Sequence, residues 1–141
     1  MYDKFNQYIT EFSDENSKND FWYDVGAIRA TEILSKFTQQ DWEVLLNEIS
    51  NKTVEWKRNL AYCLDDANNI YELRALLLLI DTDDEELIEV CADSLRSFIN
   101  AENKQLILSN KSLIENIRIK MNCCGNATRA VFADFLQRLS N

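Results

Sequence analysis

The sequence contains no proline, only two glycines and no histidine. Sandwiches and barrels need many tight turns, which are built mainly from glycine, proline, asparagine and aspartate. The scarcity of the first two residue types argues against an all-β fold. The absence of histidine removes the commonest general base, the commonest metal ligand and every serine–histidine or cysteine–histidine nucleophile pair.

Long apolar runs are also missing. The longest, residues 75–80, is far shorter than the roughly 20 residues that a membrane span requires. Residues 1–5 show no basic region followed by an apolar stretch, so we expect no secretory signal and a cytoplasmic location. Cys63, Cys91, Cys123 and Cys124 form no CxxC pair, and we expect buried free thiols rather than disulfides, with no metal or other cofactor.

Helix signals are dense in what remains, and 46% of the residues are hydrophobic. The apolar periodicity predicts one all-α domain over residues 1–141. About eight helices are expected near 2–13, 20–37, 40–50, 54–65, 69–81, 84–99, 103–121 and 126–139, the seventh breaking around 109–111. Gly125 is expected to cap the helix before it in a left-handed conformation. Three N-terminal capping motifs are present: Thr38/Asp41, Thr82/Glu85 and Ser112/Glu115.

An internal repeat organises these helices. Ala30, Ala61, Ala92 and Ala133 stand 31, 31 and 41 residues apart, and the last three are each followed three places later by leucine. A small alanine lets neighbouring helices approach closely, and the leucine one turn later packs across the gap. The pattern predicts antiparallel helix pairs stacked as a HEAT-like α-solenoid of about four pairs. An ordinary helical bundle is the alternative.

The net charge of −9 is concentrated in one segment. Residues 65–93 hold ten acids and one base, whereas the rest of the chain holds fourteen of each. Shifting positions by the 31-residue repeat places many of these acids on one surface. That surface could bind a partner, or it could merely keep the chain soluble. The expected partner-binding residues are Glu55, Trp56, Tyr62, Asp65, Asp66, Asp83, Asp84, Glu86, Glu89 and Asp93.

The negative charge of this surface determines which classes of partner it can bind. Nucleic acids and anionic membranes would be repelled, because binding them requires cations. A basic protein would be attracted, and its association accelerated. The carboxylates lie on polar helix faces rather than in apolar surroundings that would raise their pKa for acid–base work, so we expect no enzymatic activity and no catalytic residues.

One part of the chain resembles a known group of proteins. Trp56-Lys57-Arg58-Asn59-Leu60-Ala61-Tyr62-Cys63-Leu64, followed by Thr82-Asp83-Asp84-Glu85-Glu86-Leu87 and Ser94-Leu95-Arg96-Ser97-Phe98, resembles the HEAT-like repeats of bacterial immunity proteins. The likeness covers residues 40–100. It implies a small antitoxin that binds and blocks a cognate toxin domain of a contact-dependent or polymorphic system, often a nuclease. The alternatives are a HEAT-type scaffold or regulatory adaptor for an endogenous protein, and a cryptic enzyme using carboxylates or Cys123 and Cys124.

Overall fold

The computed structural model describes residues 1–13 and 22–140, and within them the chain forms helices and turns without any β-strand. A π-helical turn, Trp22–Gly26, leads into α2, and 3₁₀ turns at Ile49–Asn51 and Arg96–Phe98 extend α3 and α6. The all-helical prediction is confirmed. In chain order the helices are α1 Tyr2–Glu11, α2 Ala27–Leu34, α3 Gln39–Glu48, α4 Val54–Ala61, α5 Ile70–Leu79, α6 Glu85–Leu95, α7 Lys104–Leu108, α8 Lys111–Met121 and α9 Asn126–Ser140.

One predicted feature of these helices is confirmed, and one predicted helix is too long. The expected break in the seventh helix is present, because α7 ends at Leu108 and α8 begins at Lys111. The expected helix over 20–37 is shorter and starts with the π-helical turn, and its first two residues lie outside the described part of the chain. Gly26 closes that turn, where an added Cβ would lie 2.7 Å from a Trp22 ring carbon. Glycine is therefore required there for close packing.

Short polar side chains begin most of the helices. Thr38 caps α3 as predicted, and with Asp41 it forms a reciprocal capping box, in which the Asp41 Oδ2 accepts from the Thr38 amide at 2.9 Å. The other two predicted caps are wrong by two residues. Asp84 caps α6 and Asn110 caps α8, each accepting from the backbone amide three residues ahead. Aspartate and asparagine are at least as effective as Ser and Thr in this position, so the nearer residue caps the helix.

The helices pack in two overlapping series. In one series α4 contacts α6 and α6 contacts α9, and in the other α3 contacts α5. The two series touch where α5 contacts α6, and α8 packs against α9. At the N-terminal end, α1 contacts α2, α3 and α4. No helix in residues 1–13 and 22–140 is long and apolar enough to cross a membrane.

The repeat holds in the first three copies and fails in the fourth. Ala30, Ala61 and Ala92 are completely buried, as expected of small residues at close helix contacts. Ala133 is exposed, so its predicted packing role is wrong. The buried residues of α9 are Phe132, Phe135 and Leu139 instead.

Gly125 does not adopt the predicted left-handed conformation, because neither glycine has a positive φ. Arg129 replaces the expected cap. Its Nε donates to the Met121 carbonyl at 2.8 Å, and its Nη2 donates to the Cys124 carbonyl at 3.2 Å. A guanidinium thus satisfies carbonyls at the end of α8 that the glycine motif would otherwise satisfy.

Candidate functional site

Carboxylates from α4 and from the start of α6 converge on one guanidinium, that of Arg58 in α4. The Arg58 Nε lies 2.9 Å from the Asp84 Oδ2 and 3.3 Å from the Glu86 Oε2. A second nitrogen, Nη2, donates to the other Asp84 oxygen, and Nη1 lies 3.6 Å from the Glu55 Oε1. The side chains on these two helices therefore share one surface.

Tyr62 extends this surface towards the π-helical turn. Its ring meets the Tyr23 ring edge-on, with centroids 5.3 Å apart and an interplanar angle of 83°. Partial burial raises the pKa of the Tyr62 hydroxyl to about 12, and Tyr23 and the charges of Glu86 and Glu89 add to the shift. The phenol therefore stays neutral and lies beside both glutamates.

The same surface continues from α6 onto α9 through alternating charges. Arg96 forms an ion pair with Asp93, and its Nη1 lies 3.0 Å from the Asp134 Oδ2. Arg138 binds the same Asp134 oxygen from within α9, also at 3.0 Å. The acidic excess therefore ends at Asp93, because two arginines compensate the carboxylates beyond it.

Most of the predicted partner-binding residues are thus brought together by two adjoining helices, in the arrangement that the 31-residue shift predicts. Glu89 is half-buried on α6, between the positions of Glu86 and Asp93. We call this surface the α4–α6 face and define it by Glu55, Arg58, Tyr62, Asp84, Glu86, Glu89 and Asp93.

Trp56 is not part of that face, and the expectation that it offers an aromatic contact is wrong. It is 2% exposed and packs in the core, where its ring lies edge-on to Phe5. Its indole Nε1 donates to the Asn6 Oδ1 at 3.0 Å, which satisfies its only polar group. Tyr23, by contrast, is an exposed aromatic residue.

Three predicted aspartates lie elsewhere. Asp65 and Asp66 are exposed on the α4–α5 connection, where they line a cavity of about 270 Å³ together with Trp42 and Glu72. Asp83 is exposed at the α5–α6 turn, and its backbone carbonyl lies 3.5 Å from the Lys120 Nζ. These three acidic residues lie at turns between helices and are not part of the α4–α6 face.

Glu72, one of the ten acids of the charged segment, is only 5% exposed. Its pKa is raised to about 7, mainly by burial and also by the charges of Asp66 and Asp65, although backbone amides of the same two residues donate to it and oppose the shift. One of those donors, the Asp66 amide, lies 3.5 Å from the Glu72 Oε1. Near neutral pH this carboxyl is therefore partly protonated, and the segment is less negative than its formal count.

Three of the four cysteines are buried, and the expectation of a buried thiol is wrong for Cys123. Cys63 and Cys91 are buried, which raises the pKa of Cys63 to about 12 and that of Cys91 further still. All four thiols are unpaired, with Cys123 exposed and Cys124 buried at the α8–α9 corner. Within the described ranges, no three cysteine, aspartate or glutamate side chains are placed to hold a metal ion.

Sequence reasoning underestimated the role of Arg58. Counting charge along residues 65–93 left it outside the window, although it neutralises part of the acidic excess in space. The 31-residue shift aligns Arg58 with Glu89, but the charge count along the chain made no use of that alignment. A charge count over superposed repeat positions would have included this arginine.

No family model, curated protein or solved structure matches this chain. The α4–α6 face is therefore interpreted from its own residues. It combines carboxylates, one internal arginine and an exposed tyrosine whose ring contacts Tyr23, and these groups can recognise a cationic surface by charge and by ring contacts.

Proposed function

We propose that this protein is an immunity protein, an antitoxin that binds a cognate bacterial toxin domain and blocks it through the α4–α6 face. The blocked domain would carry a basic surface, as the cleft of a nuclease does. The single observation that supports this proposal most is the convergence of Glu55, Asp84 and Glu86 on adjoining helices. Blockade by binding needs no catalytic group on the antitoxin itself.

The proposal includes a HEAT-like arrangement of antiparallel helix pairs. In it, α4, α6 and α9 form one layer of the stack, and α3, α5 and α8 form the other. The contacts of α4 with α6, of α6 with α9 and of α3 with α5 support this assignment. So does the burial of Ala61 and Ala92 at equivalent repeat positions. Stacked pairs of this kind present long, continuous surfaces to partners.

The charge balance of the face favours a basic partner. Arg58 is the one base among its seven defining residues, against five carboxylates. Arg96 pairs with Asp93 beside the face, so five carboxylates share two arginines and the face keeps a net negative charge. An excess of one sign opposes folding, so such a surface gains from an oppositely charged partner. Complementary charge accelerates association, which suits an antitoxin that must act before its toxin does.

The test is co-expression with the toxin. We expect the reading frame beside this one to encode a secreted protein with a toxic C-terminal domain. Cells producing that domain should survive with this chain and die with a variant carrying Glu86→Lys, Glu89→Lys and Asp93→Lys. The purified variant should keep its helical circular dichroism and lose at least tenfold in affinity.

A matched control distinguishes the effect of charge on this face from the effect of the net charge of the protein. Glu43, Glu102 and Glu115 are exposed and lie outside the α4–α6 face. Replacing all three with lysine changes the net charge by the same amount and should preserve both protection and affinity. Equal affinity of the two triple variants would exclude the face as the binding site.

A HEAT-type scaffold for an endogenous complex is the second candidate. It is favoured by an open groove of about 460 Å³ between α1 and α2, lined in part by Tyr8, Phe12 and Val25. Val25 and the neighbouring Ile28 are exposed, so this end of the molecule offers apolar contact area. A scaffold predicts a bound partner that is harmless when produced alone, whereas an antitoxin predicts a partner that kills.

A further inference from the structure

An exposed aromatic pair stands at the edge of the α4–α6 face. Tyr23 is 55% exposed and Tyr62 is 40% exposed, and their rings meet edge-on with centroids 5.3 Å apart. Tyrosine is often a dominant contributor at protein interfaces, because a rigid ring gives contact area at a low cost in conformational entropy. The pair is fixed on two separate elements, the π-helical turn and the end of α4.

Carboxylates border these rings. Glu86 lines a small depression together with Tyr23, Tyr62 and Arg58. Glu89 lies one turn further along α6, on the same helix face as Glu86. The rings and the two glutamates together present an aromatic surface with adjoining negative charge, which is the environment that a cation stacked on a ring requires.

The same glutamate already binds a guanidinium in this protein. Arg58 lies 3.3 Å from the Glu86 Oε2 and is held at the same time by Asp84 and Glu55. A carboxylate has two oxygens and about four lone-pair sites, so one arginine does not exhaust its capacity. The internal contact shows that Glu86 is held where an arginine side chain can reach it.

We propose that Tyr23, Tyr62, Glu86 and Glu89 form a slot for one arginine side chain of the basic partner. This inference rests on the proposed function and specifies the chemistry of its partner. The guanidinium plane stacks on a tyrosine ring while its edge donates to a glutamate, a combination that the planar, weakly hydrated guanidinium suits. A lysine ammonium is more strongly hydrated and cannot stack, so the slot discriminates arginine from lysine.

The probes for this slot are blocked hexaarginine and hexalysine peptides, titrated at equal ionic strength. Both peptides carry the same charge, so any difference between them reports stacking rather than general attraction. The Tyr62→Ala variant should bind hexaarginine about fourfold more weakly, the loss expected for one exposed cation–π contact. Its affinity for hexalysine should change less than twofold.

Three further variants complete the design. Tyr62→Phe keeps the ring and should keep the preference for hexaarginine, which also covers the case in which Tyr62→Ala fails to fold. Glu89→Gln should weaken both peptides, whereas Glu102→Gln, the same charge change at an exposed residue outside the face, should weaken neither more than twofold. Loss of the arginine preference in Tyr62→Phe, or its retention in a folded Tyr62→Ala, overturns the slot.

The results separate this inference from the function on which it rests. If the triple lysine variant abolishes protection while Tyr62→Ala still prefers hexaarginine, the face is correct and the slot is wrong. If the slot variants behave as expected but the parent chain does not protect cells from the toxin, the slot stands as a binding property and the antitoxin proposal fails.

Discussion

The middle of the chain and its C-terminal region bury different kinds of side chain where their helices meet. In the middle, Ala61 and Ala92 are completely buried, and Leu64 and Leu95 pack beside them. In α9 the alanine at the corresponding position, Ala133, is exposed, and large aromatic residues fill the core. The last alanine interval is ten residues longer than the others, and the added residues, 101–110, contain α7. After this addition, α9 buries a different set of positions from the one that the repeat assigns.

The two regions also differ in charge. Residues 65–93 hold ten acids and one base, whereas residues 94–141 hold seven bases and three acids. Arg96 and Arg138 in the latter region bind Asp93 and Asp134, so the boundary between the two is a series of ion pairs. A surface built from strict repeats would keep the same sign of charge from one repeat to the next. The acidic surface is therefore a local property of the middle helices rather than of the whole stack.

The largest expected effect tests the register of α9. Phe135 is completely buried, whereas Leu136, the position that the repeat assigns to the core, is half-buried. We expect Phe135→Ala to lower the free energy of unfolding by about 3–5 kcal/mol, because it removes a large ring and leaves a cavity. Leu136→Ala should cost about 1 kcal/mol. Urea denaturation of both variants measures the difference, and the reverse order would restore the strict repeat.

This comparison shows how far the sequence predicts the fold. Helix number, the break before Lys111 and the burial of the first three alanines were predictable, because each depends on local periodicity or on near neighbours. The register of α9 was not, because alanine–leucine spacing alone cannot distinguish a buried position from the exposed position beside it. The adjacent Phe132 and Phe135 were the better guide, since large apolar rings gain more by burial.

The candidate site was predictable to a similar extent. The repeat shift correctly placed Glu55 and Tyr62 of α4 beside the glutamates of α6. It could not show that Trp56, next to Glu55 in sequence, points inward to Asn6. Nor could it show that Glu72 is buried, because that depends on how the α4–α5 connection folds over the first turn of α5.

A pH titration sharpens the charge comparison. Burial raises the pKa of Glu72 from 4.5 to about 7, so between these values the folded chain binds a proton that the unfolded chain has released. The free energy of unfolding therefore falls as the pH rises through this window. Discounting for solvent in the adjoining cavity, we expect this carboxyl to cost about 2 kcal/mol between pH 5 and pH 8.

The measurement compares variants of the two regions at both pH values. Glu72→Gln should lose that pH-dependent cost and be more stable than the parent chain at pH 8. Glu115→Gln, which alters an exposed carboxyl of α8, should follow the parent chain at both values. If Glu72→Gln keeps the full pH dependence, Glu72 is ionised in the folded protein and the middle region carries its whole formal charge.

The smallest expected effect concerns the arginines on either side of the boundary. The Arg58 side chain is 19% exposed and forms ion pairs with three carboxylates, whereas the Arg138 side chain is 51% exposed and forms an ion pair with one. Arg58→Gln should lower the free energy of unfolding by about 1–2 kcal/mol, because Asp84 and Glu86 then repel each other without a shared cation. Arg138→Gln should change it by less than about 0.5 kcal/mol, as is usual for exposed ion pairs.

Salt distinguishes this electrostatic cause from lost packing. At about 1 M sodium chloride the Debye length falls to roughly 3 Å, which screens the repulsion among carboxylates around the vacated position. The cost of Arg58→Gln should then shrink by half or more, while a packing loss would persist. A cost that is unchanged by salt would mean that Arg58 acts through its aliphatic stem, and that the excess charge of the middle region does not oppose folding.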